Sequence, residues 1–460
     1  MGVRLKHPTK IVDEVDADAD WTDLVWMTAT PRLARLAANT FYRLTIEGAL
    51  PSSGPVLIIA NHPNSLVDPV LVFAAAERPV RFLAKAPLFE DFRIAWLLRA
   101  VGAVPVHRPQ DDPSQLSKNA DVLGAAGAAL AGGAAIAVFP EGKSHNEPSL
   151  APLKTGAARI ALLAAGSTGD AVPIVPIGLN MRDKETFRSD ALVVVGEPVA
   201  WSDLASRGAD DVEAVRTLTA RMDDALRGVT LNVERWEDAP VVECAEAVWR
   251  VERGGSDDPR ERLERQRIAS ELLAGIRRDP SSRWRPLARA VRRHARSLAQ
   301  LDLTPADLNS DLNASTAVRW SLQRLPLLLL PAFALAIAGL VLWWIPYRLT
   351  GIVAEGIRGE RDIRSTYKLY GGIVLYAAWL AILVIVAAAL GGPLWAVAVL
   401  LLAPALGITG LWIRERWRLA WRDARRYFIL RRHPWRVRDL RRRQHELAEG
   451  FEELVKTAGA

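Results

Sequence analysis

One cysteine, Cys244, stands in 460 residues, which excludes an intramolecular disulfide and leaves a small buried apolar side chain as its simplest reading. That usage is consistent with a reducing compartment. Histidine is scarce as well, with seven in the chain. His145-Asn146-Glu147 offers two ligand types without partners at metal-site spacing, so no metal is expected. Gly142-Lys143-Ser144 has the form of the end of a phosphate-binding loop, but the glycine such a loop needs is replaced by Ala137. No Gly-x-Ser-x-Gly pentad surrounds Ser65, Ser144 or Ser167, which argues against a nucleophilic serine of that type. The Ala/Gly-rich stretch 124–133 lacks a dinucleotide fingerprint and reads as close helix packing, so no cofactor is expected. Met1 to Asp20 is polar, ends in an acidic run and carries no secretory signal pattern. The part that follows is therefore expected on the side of the membrane where it is made.

What is present begins with an apolar run, Val56 to Ala60, that reads as a buried strand and leads into Asn61-His62-Pro63-Asn64-Ser65-Leu66-Val67-Asp68-Pro69. A histidine at a strand end with a carboxylate nearby suits a general base held in one tautomer by its acid partner. The plainer alternative is a histidine and an aspartate that cap the next helix. Three further blocks follow in order at the edges of apolar runs: Gly102 to Arg108, Ala135 to His145 with Pro140-Glu141-Gly142-Lys143, and Val172 to Gly178. Short apolar runs (56–60, 80–84, 135–139, 191–196) alternate with helix-like stretches (116–131, 154–165, 211–227), the pattern of an α/β domain with a central sheet.

Together the four blocks, over roughly residues 40 to 235, resemble the ordered motifs of the glycerolipid acyltransferases, the family of glycerol-3-phosphate and lysophosphatidate acyltransferases. The resemblance implies a central mixed sheet with surrounding helices. It also implies transfer of a fatty acyl group from acyl-CoA or acyl-carrier protein, as co-substrate, to a glycerol-phosphate-type acceptor. His62 would be the base and Asp68 its orienting partner. Arg108 is implied as the leading acceptor-phosphate cation, with Lys143 in support, and Glu141 and Gly142 as acceptor-contact or site-shaping residues. A structural hydrogen bond from Glu141 to its own turn is the alternative. Asn64, Ser65, Lys85 and Lys154 are weaker candidates, the lysines reading more simply as solvated surface groups. Five residues separate His62 from Asp68 where most members have four, which leans toward the branch that acylates glycerol-3-phosphate or dihydroxyacetone phosphate. Lys143-Ser144 stands where many members carry Thr-Arg, so a flexible point charge replaces a planar fork. A fold kept as an inactive membrane scaffold and a lipid thioesterase are the rival functions.

A net charge of +7 favours an anionic partner, a membrane surface or a phosphorylated ligand, and nucleic acid is not expected. Leu325 to Tyr347, Gly371 to Leu390 and Pro393 to Ile413 are uncharged and long enough to cross about 30 Å of hydrocarbon. The last two, joined at Gly391-Gly392, read as a spanning hairpin with the arginines after Ile413 on the cytoplasmic side. A third full crossing would put residues 30–235 opposite that basic tail. Pro326, Pro331 and Pro346, with basic residues on both flanks, favour a re-entrant or surface segment. The expected division is a polar segment 1–29, an acyltransferase domain 30–235, a basic helical region 236–320, a membrane region 321–413 and a basic amphipathic tail 414–460. In the tail, Trp417, Trp421, Ala424 and Phe428 recur at helical spacing, as at a lipid surface. Near the other end Thr30-Pro31 reads as a helix start, with Leu33, Leu36, Ala37, Phe41 and Leu44 on one face for core packing or membrane contact.

Overall fold

The computed structural model describes residues 21–90, 95, 98, 103–106, 118–181, 183–309, 331–356 and 361–458. The chain divides into two compact units, Met1–Asn232 with Gly359–Thr366, and Val233–Arg358 with Tyr367–Ala460.

The first unit is built on a seven-stranded sheet. Its strands are β1 (Arg43–Glu47), β2 (Val56–Ala60), β3 (Arg81–Lys85), β4 (Val104–Val106), β5 (Ala135–Val138), β6 (Ile174–Met181) and β7 (Asp190–Val195). They lie in the order β1-β7-β6-β2-β5-β3-β4. Every pairing is parallel except β6 with β7, so the sheet is mixed, as the resemblance implied. Strand β2 is central and all five of its residues are buried, which is what an unbroken Val-Leu-Ile-Ile-Ala run requires of a strand covered on both faces. Because β2 runs parallel to β5 and β6, the segments leaving all three strands emerge at the same end of the sheet. That end is where open α/β sheets place their ligands.

Helices α1 (Trp21–Phe41), α2 (Val67–Ala76), α3 (Lys118–Ala131), α4 (Gly156–Thr168) and α5 (Val212–Val229) surround the sheet. Gly127 shows why α3 is rich in small residues: a Cβ there would sit 2.8 Å from the Leu163 Cβ on α4. Helix α1 departs from the sequence expectation. It runs through Pro31 instead of starting there, and the face it buries is Pro31, Ala34, Ala38 and Phe41. Small side chains let α1 approach α2 closely, and Leu33 and Leu36, expected to serve core packing or membrane contact, are left exposed.

In the second unit, α6 (Ala239–Arg253), α7 (Pro259–Arg278), α8 (Arg285–Gln300) and the short α9 (Pro305–Leu308) precede α10 (Pro331–Leu342), α11 (Trp344–Gly356), α12 (Arg361–Gly391, part of this unit from Tyr367), α13 (Pro393–Arg432) and α14 (Pro434–Ala458). Val241, Cys244 and Val248 of α6, Val291 and Leu298 of α8, and Val437, Leu440 and Leu447 of α14 share one core. The last 25-residue helix therefore buries an apolar face among the helices of 239–308. Cys244 is buried there as expected, and burial pushes its thiol up to about 12, so it is no thiolate nucleophile.

Among the described residues two helices are long and apolar enough to cross a membrane, Lys368–Gly391 and Pro393–Arg432. They coincide with the expected hairpin. No residue in the apolar window of the first is fully buried. Helix α13 has 40 residues, about 60 Å of helix, roughly twice the hydrocarbon thickness. Its second half, with Trp417, Trp421 and Phe428 exposed, continues beyond the apolar stretch without a break.

Residues 325–330 of the segment read as re-entrant lie outside the described residues. From 331 onward it is two helices separated at Trp343. Pro346 explains the interruption, because a proline has no N–H to give the carbonyl four residues back, that of Leu342. Trp379 on α12 supplies the missing donor, its indole N–H reaching the Leu342 carbonyl at 2.9 Å. Trp343 likewise donates to the Ala403 carbonyl at 2.9 Å, so polar groups of this apolar region are satisfied within the protein. Trp379→Phe keeps an aromatic ring, though a smaller one, and removes the donor. It is expected to lower stability by about 1–3 kcal/mol, the order of cost of leaving one half-buried acceptor without its donor, read as a lowered thermal midpoint in detergent.

Candidate active site

The segment after β2 turns sharply. Ser65 adopts a left-handed backbone at φ 50°, and the Asp68 N–H returns to the Ser65 carbonyl at 3.2 Å. This turn brings Asp68, in the first turn of α2, back under His62. The His62 Nδ1 and the Asp68 Oδ2 are 2.8 Å apart. The same carboxylate oxygen accepts the Asn64 N–H at 2.7 Å, so it works as an acceptor, and Nδ1 carries the proton it donates. The ring nitrogen left with a lone pair is Nε2. The helix-capping alternative fails here, since α2 has no side-chain cap and Leu66 occupies the cap position.

Asp68 is completely buried, whereas the His62 side chain keeps 18% exposure. Burial pushes the Asp68 carboxyl up from its ordinary range, opposed by the hydrogen bond and charge of His62, by the Asn64 N–H and by the charge of Lys184. Its Oδ1 has no hydrogen-bond partner among the described residues. The His62 ring stacks on Phe139, with centroids 4.1 Å apart and planes inclined by 13°, which fixes the plane in which Nε2 lies.

Glu141 arrives from the segment after β5. Its side chain is buried, and both oxygens are engaged by protein donors. Oε1 accepts the backbone N–H of His62 at 2.7 Å, and Oε2 accepts the Ala151 N–H at 2.7 Å and the His145 Nε2–H. The His145 N–H returns to the His62 carbonyl at 3.2 Å. Glu141 thus holds the backbone of His62, the site-shaping side of the expectation. Gly142 follows with φ +75°, a left-handed turn that favours glycine, and a Cβ there would press on the Lys154 side chain at 3.3 Å.

The remaining expected residues divide. Asn64 is fully buried and donates through Nδ2 to the Tyr42 hydroxyl at 2.9 Å, so it supports the turn from within. Lys143 and Lys154 have exposed side chains, and Lys154 joins the turn through its backbone N–H to the Pro140 carbonyl at 2.6 Å. Lys85 ends β3, and Arg108 lies outside the described residues. No group of three or more His, Cys, Asp and Glu placed to hold a metal occurs among the described residues. Sequence reading passed over His145, weighed only as a metal ligand, and Asn61, Tyr42 and Lys184. Asn61 anchors the start of the segment to β6, exchanging hydrogen bonds with both backbone groups of Leu179 at 3.1 and 2.7 Å. A polar residue directly after an apolar strand was the only available signal for it.

Residues 43–180, which carry β1 to β6 and all of these groups, match the Acyltransferase family model. This segment is an acyltransferase domain. The chain is 33% identical over 117 residues to glycerol-3-phosphate O-acyltransferase 2 of Saccharomyces cerevisiae, covering 25% of this chain but only 16% of that protein. It is 26% identical over 159 residues to a 1-acyl-sn-glycerol-3-phosphate acyltransferase of Bacillus subtilis, covering 34% of this chain and 72% of that protein. The crystal structure of the Thermotoga maritima 1-acyl-sn-glycerophosphate acyltransferase aligns with 49% of this chain and 83% of its own, at 19% identity and a TM-score of 0.32.

Within the acyltransferase domain, the raised Asp68 carboxyl has a stability consequence. A carboxyl whose folded-state value exceeds its unfolded one destabilises the fold when ionised, and that cost disappears as pH falls through the folded-state value. Asp68→Asn removes the charge, so its thermal midpoint relative to the parent should be most favourable above neutrality and decline toward acid. A variant destabilised equally at every pH would show that Asp68 contributes through packing alone.

Proposed function

We propose that the protein transfers a fatty acyl group from a thioester, acyl-CoA or acyl-carrier protein, to the hydroxyl of glycerol-3-phosphate or a related (lyso)phospholipid. The observation that carries this reading is the His62–Asp68 pair at the shared carboxyl end of parallel strands in an acyltransferase domain. An alcohol is a weak nucleophile at neutral pH. His62 Nε2 takes the hydroxyl proton as the oxygen attacks the thioester carbonyl carbon, and Asp68 stabilises the imidazolium that results, a role worth roughly 10²- to 10⁴-fold in rate. The tetrahedral intermediate then expels the thiolate, which takes the proton back from Nε2. The products are an oxygen ester and a free thiol, and His62 returns to its starting state.

The acceptor's phosphate calls for cations. Arg108 and Lys143 are the candidates, Lys143 by its exposed position in the turn next to Glu141. The named activities of the relatives support glycerol-phosphate acceptors, and five residues between His62 and Asp68 lean toward glycerol-3-phosphate itself. Residence in a membrane fits two long apolar helices with many exposed apolar side chains, for which hydrocarbon is the compatible solvent. The arginines after Ile413 favour a cytoplasmic site and tail, with 325–347 re-entrant.

His62→Ala should abolish acyl transfer at saturating acceptor while the protein stays folded and membrane-associated. Hydrolysis of the donor independent of any acceptor would favour a thioesterase, and turnover near the parent rate would remove His62 from the mechanism. In a Cys244→Ser background, single cysteines at Ser206, Leu394 and Glu453 test the orientation in intact cells. Leu394 alone should react with an impermeant reagent from outside, and external labelling at Ser206 would put the site out of reach of cytoplasmic donors.

A further inference from the structure

We infer that Lys184 is a positioning residue for His62, clamping the segment that carries the histidine to the segment that carries Glu141. The inference rests on the acyl-transfer reading above. Lys184 lies three residues past β6, the third strand whose end borders the site. Its Nζ donates to the Pro63 carbonyl at 3.0 Å and to the Asn146 Oδ1 at 3.0 Å. Its own carbonyl accepts the Tyr42 hydroxyl at 2.7 Å, and that hydroxyl accepts the Asn64 side-chain N–H at 2.9 Å. The two residues directly after His62 are therefore both tied to Lys184, one by the ammonium and the other through the phenol. On the opposite side, Asn146 directly follows His145, whose ring and backbone bind Glu141 and His62.

The side-chain contacts are charge-assisted hydrogen bonds to neutral oxygens, stronger than their neutral counterparts and without the desolvation of a second charge. The same positive charge acts on Asp68 in the direction that keeps it ionised. An ammonium directed at two protein oxygens that join separate segments is arranged to hold those segments together. Misplacing a reacting group by an ångström costs on the order of 10²-fold in rate, so such a clamp has a large kinetic effect without touching substrate.

The test uses the full-length protein in detergent. Lys184→Met keeps the apolar stem and removes the donors. It should lower kcat by roughly 10²-fold with acceptor and donor KM within about twofold and the thermal midpoint nearly unchanged. Lys184→Arg, which can still donate to both oxygens, should recover most of the rate. Asn146→Ala removes one side of the clamp and should give a smaller loss of the same kind, which decides the matter if Lys184→Met fails to fold. A readout that needs no turnover is modification of His62 by diethyl pyrocarbonate, followed by mass spectrometry, with the exposed His445 as internal reference. In Lys184→Met the His62 rate should change by at least about threefold as its segment loosens, while His445 stays constant. A raised acceptor KM with unchanged kcat would overturn the proposal and make Lys184 an acceptor ligand. Unchanged kcat and unchanged His62 modification would also overturn it. If the parent protein transfers no acyl group, the functional reading fails separately, and the modification rate alone decides the role of Lys184.

Discussion

A carboxylate with no exposure to water, Asp68, is the constraint on which the site depends. An ionised carboxylate is costly to bury unless donors face it, and the fold supplies them from within one short segment, the His62 ring and the Asn64 N–H. That requirement explains the left-handed Ser65, which closes the turn tightly enough for one oxygen to meet both donors. It also explains why the surrounding backbone is held so firmly. Glu141 grips the His62 N–H, Asn61 is fixed to Leu179, and Asn64 is fixed to Tyr42. Each contact keeps the two donors from drifting away from a charge that water cannot reach.

The topology makes this economical in sequence. Three adjacent parallel strands, β5, β2 and β6, deliver Glu141, His62 and Lys184 to one end of the sheet from positions about 80 and 40 residues apart, separations of the size a crossover connection readily accommodates. The antiparallel β7 then returns beside β6, and β1 completes that edge by pairing with it. His62 thus follows directly on the fully buried central strand, two residues past its end.

The central strand, the His–Asp segment and the hairpin of apolar helices were legible because each is written locally: a run of branched apolar residues, a histidine at its end, two long uncharged stretches. The α/β alternation located most helices to within a few residues. Strands β1, β4 and β6 are not among the strand-like runs, since Arg43-Leu44-Thr45-Ile46-Glu47 and Val104-Pro105-Val106 are short, and β4 and β6 are each interrupted by a proline. Of the two readings of the leucine face of α1, core packing fails for Leu33 and Leu36, because close approach to α2 favours the alanines between them, and membrane contact is left. Lys184 and His145 were invisible as site residues for a different reason. What they do depends on which oxygen each meets across the fold, and residue type alone does not encode that.

The same physics recurs in the apolar half of the chain. Pro346 frees the Leu342 carbonyl, and an indole N–H from another helix replaces the lost donor. Gly339 lets α10 approach α13 so closely that a Cβ would lie 2.1 Å from the Leu406 carbonyl. Small residues at such a contact gain packing where no hydrophobic driving force separates helix from lipid. A proline that interrupts a helix therefore comes with its compensation already built, a tryptophan placed one helix away. In both units a specific side chain answers irregular backbone, Asp68 in the turn after His62 and Trp379 in a segment apolar enough to meet lipid.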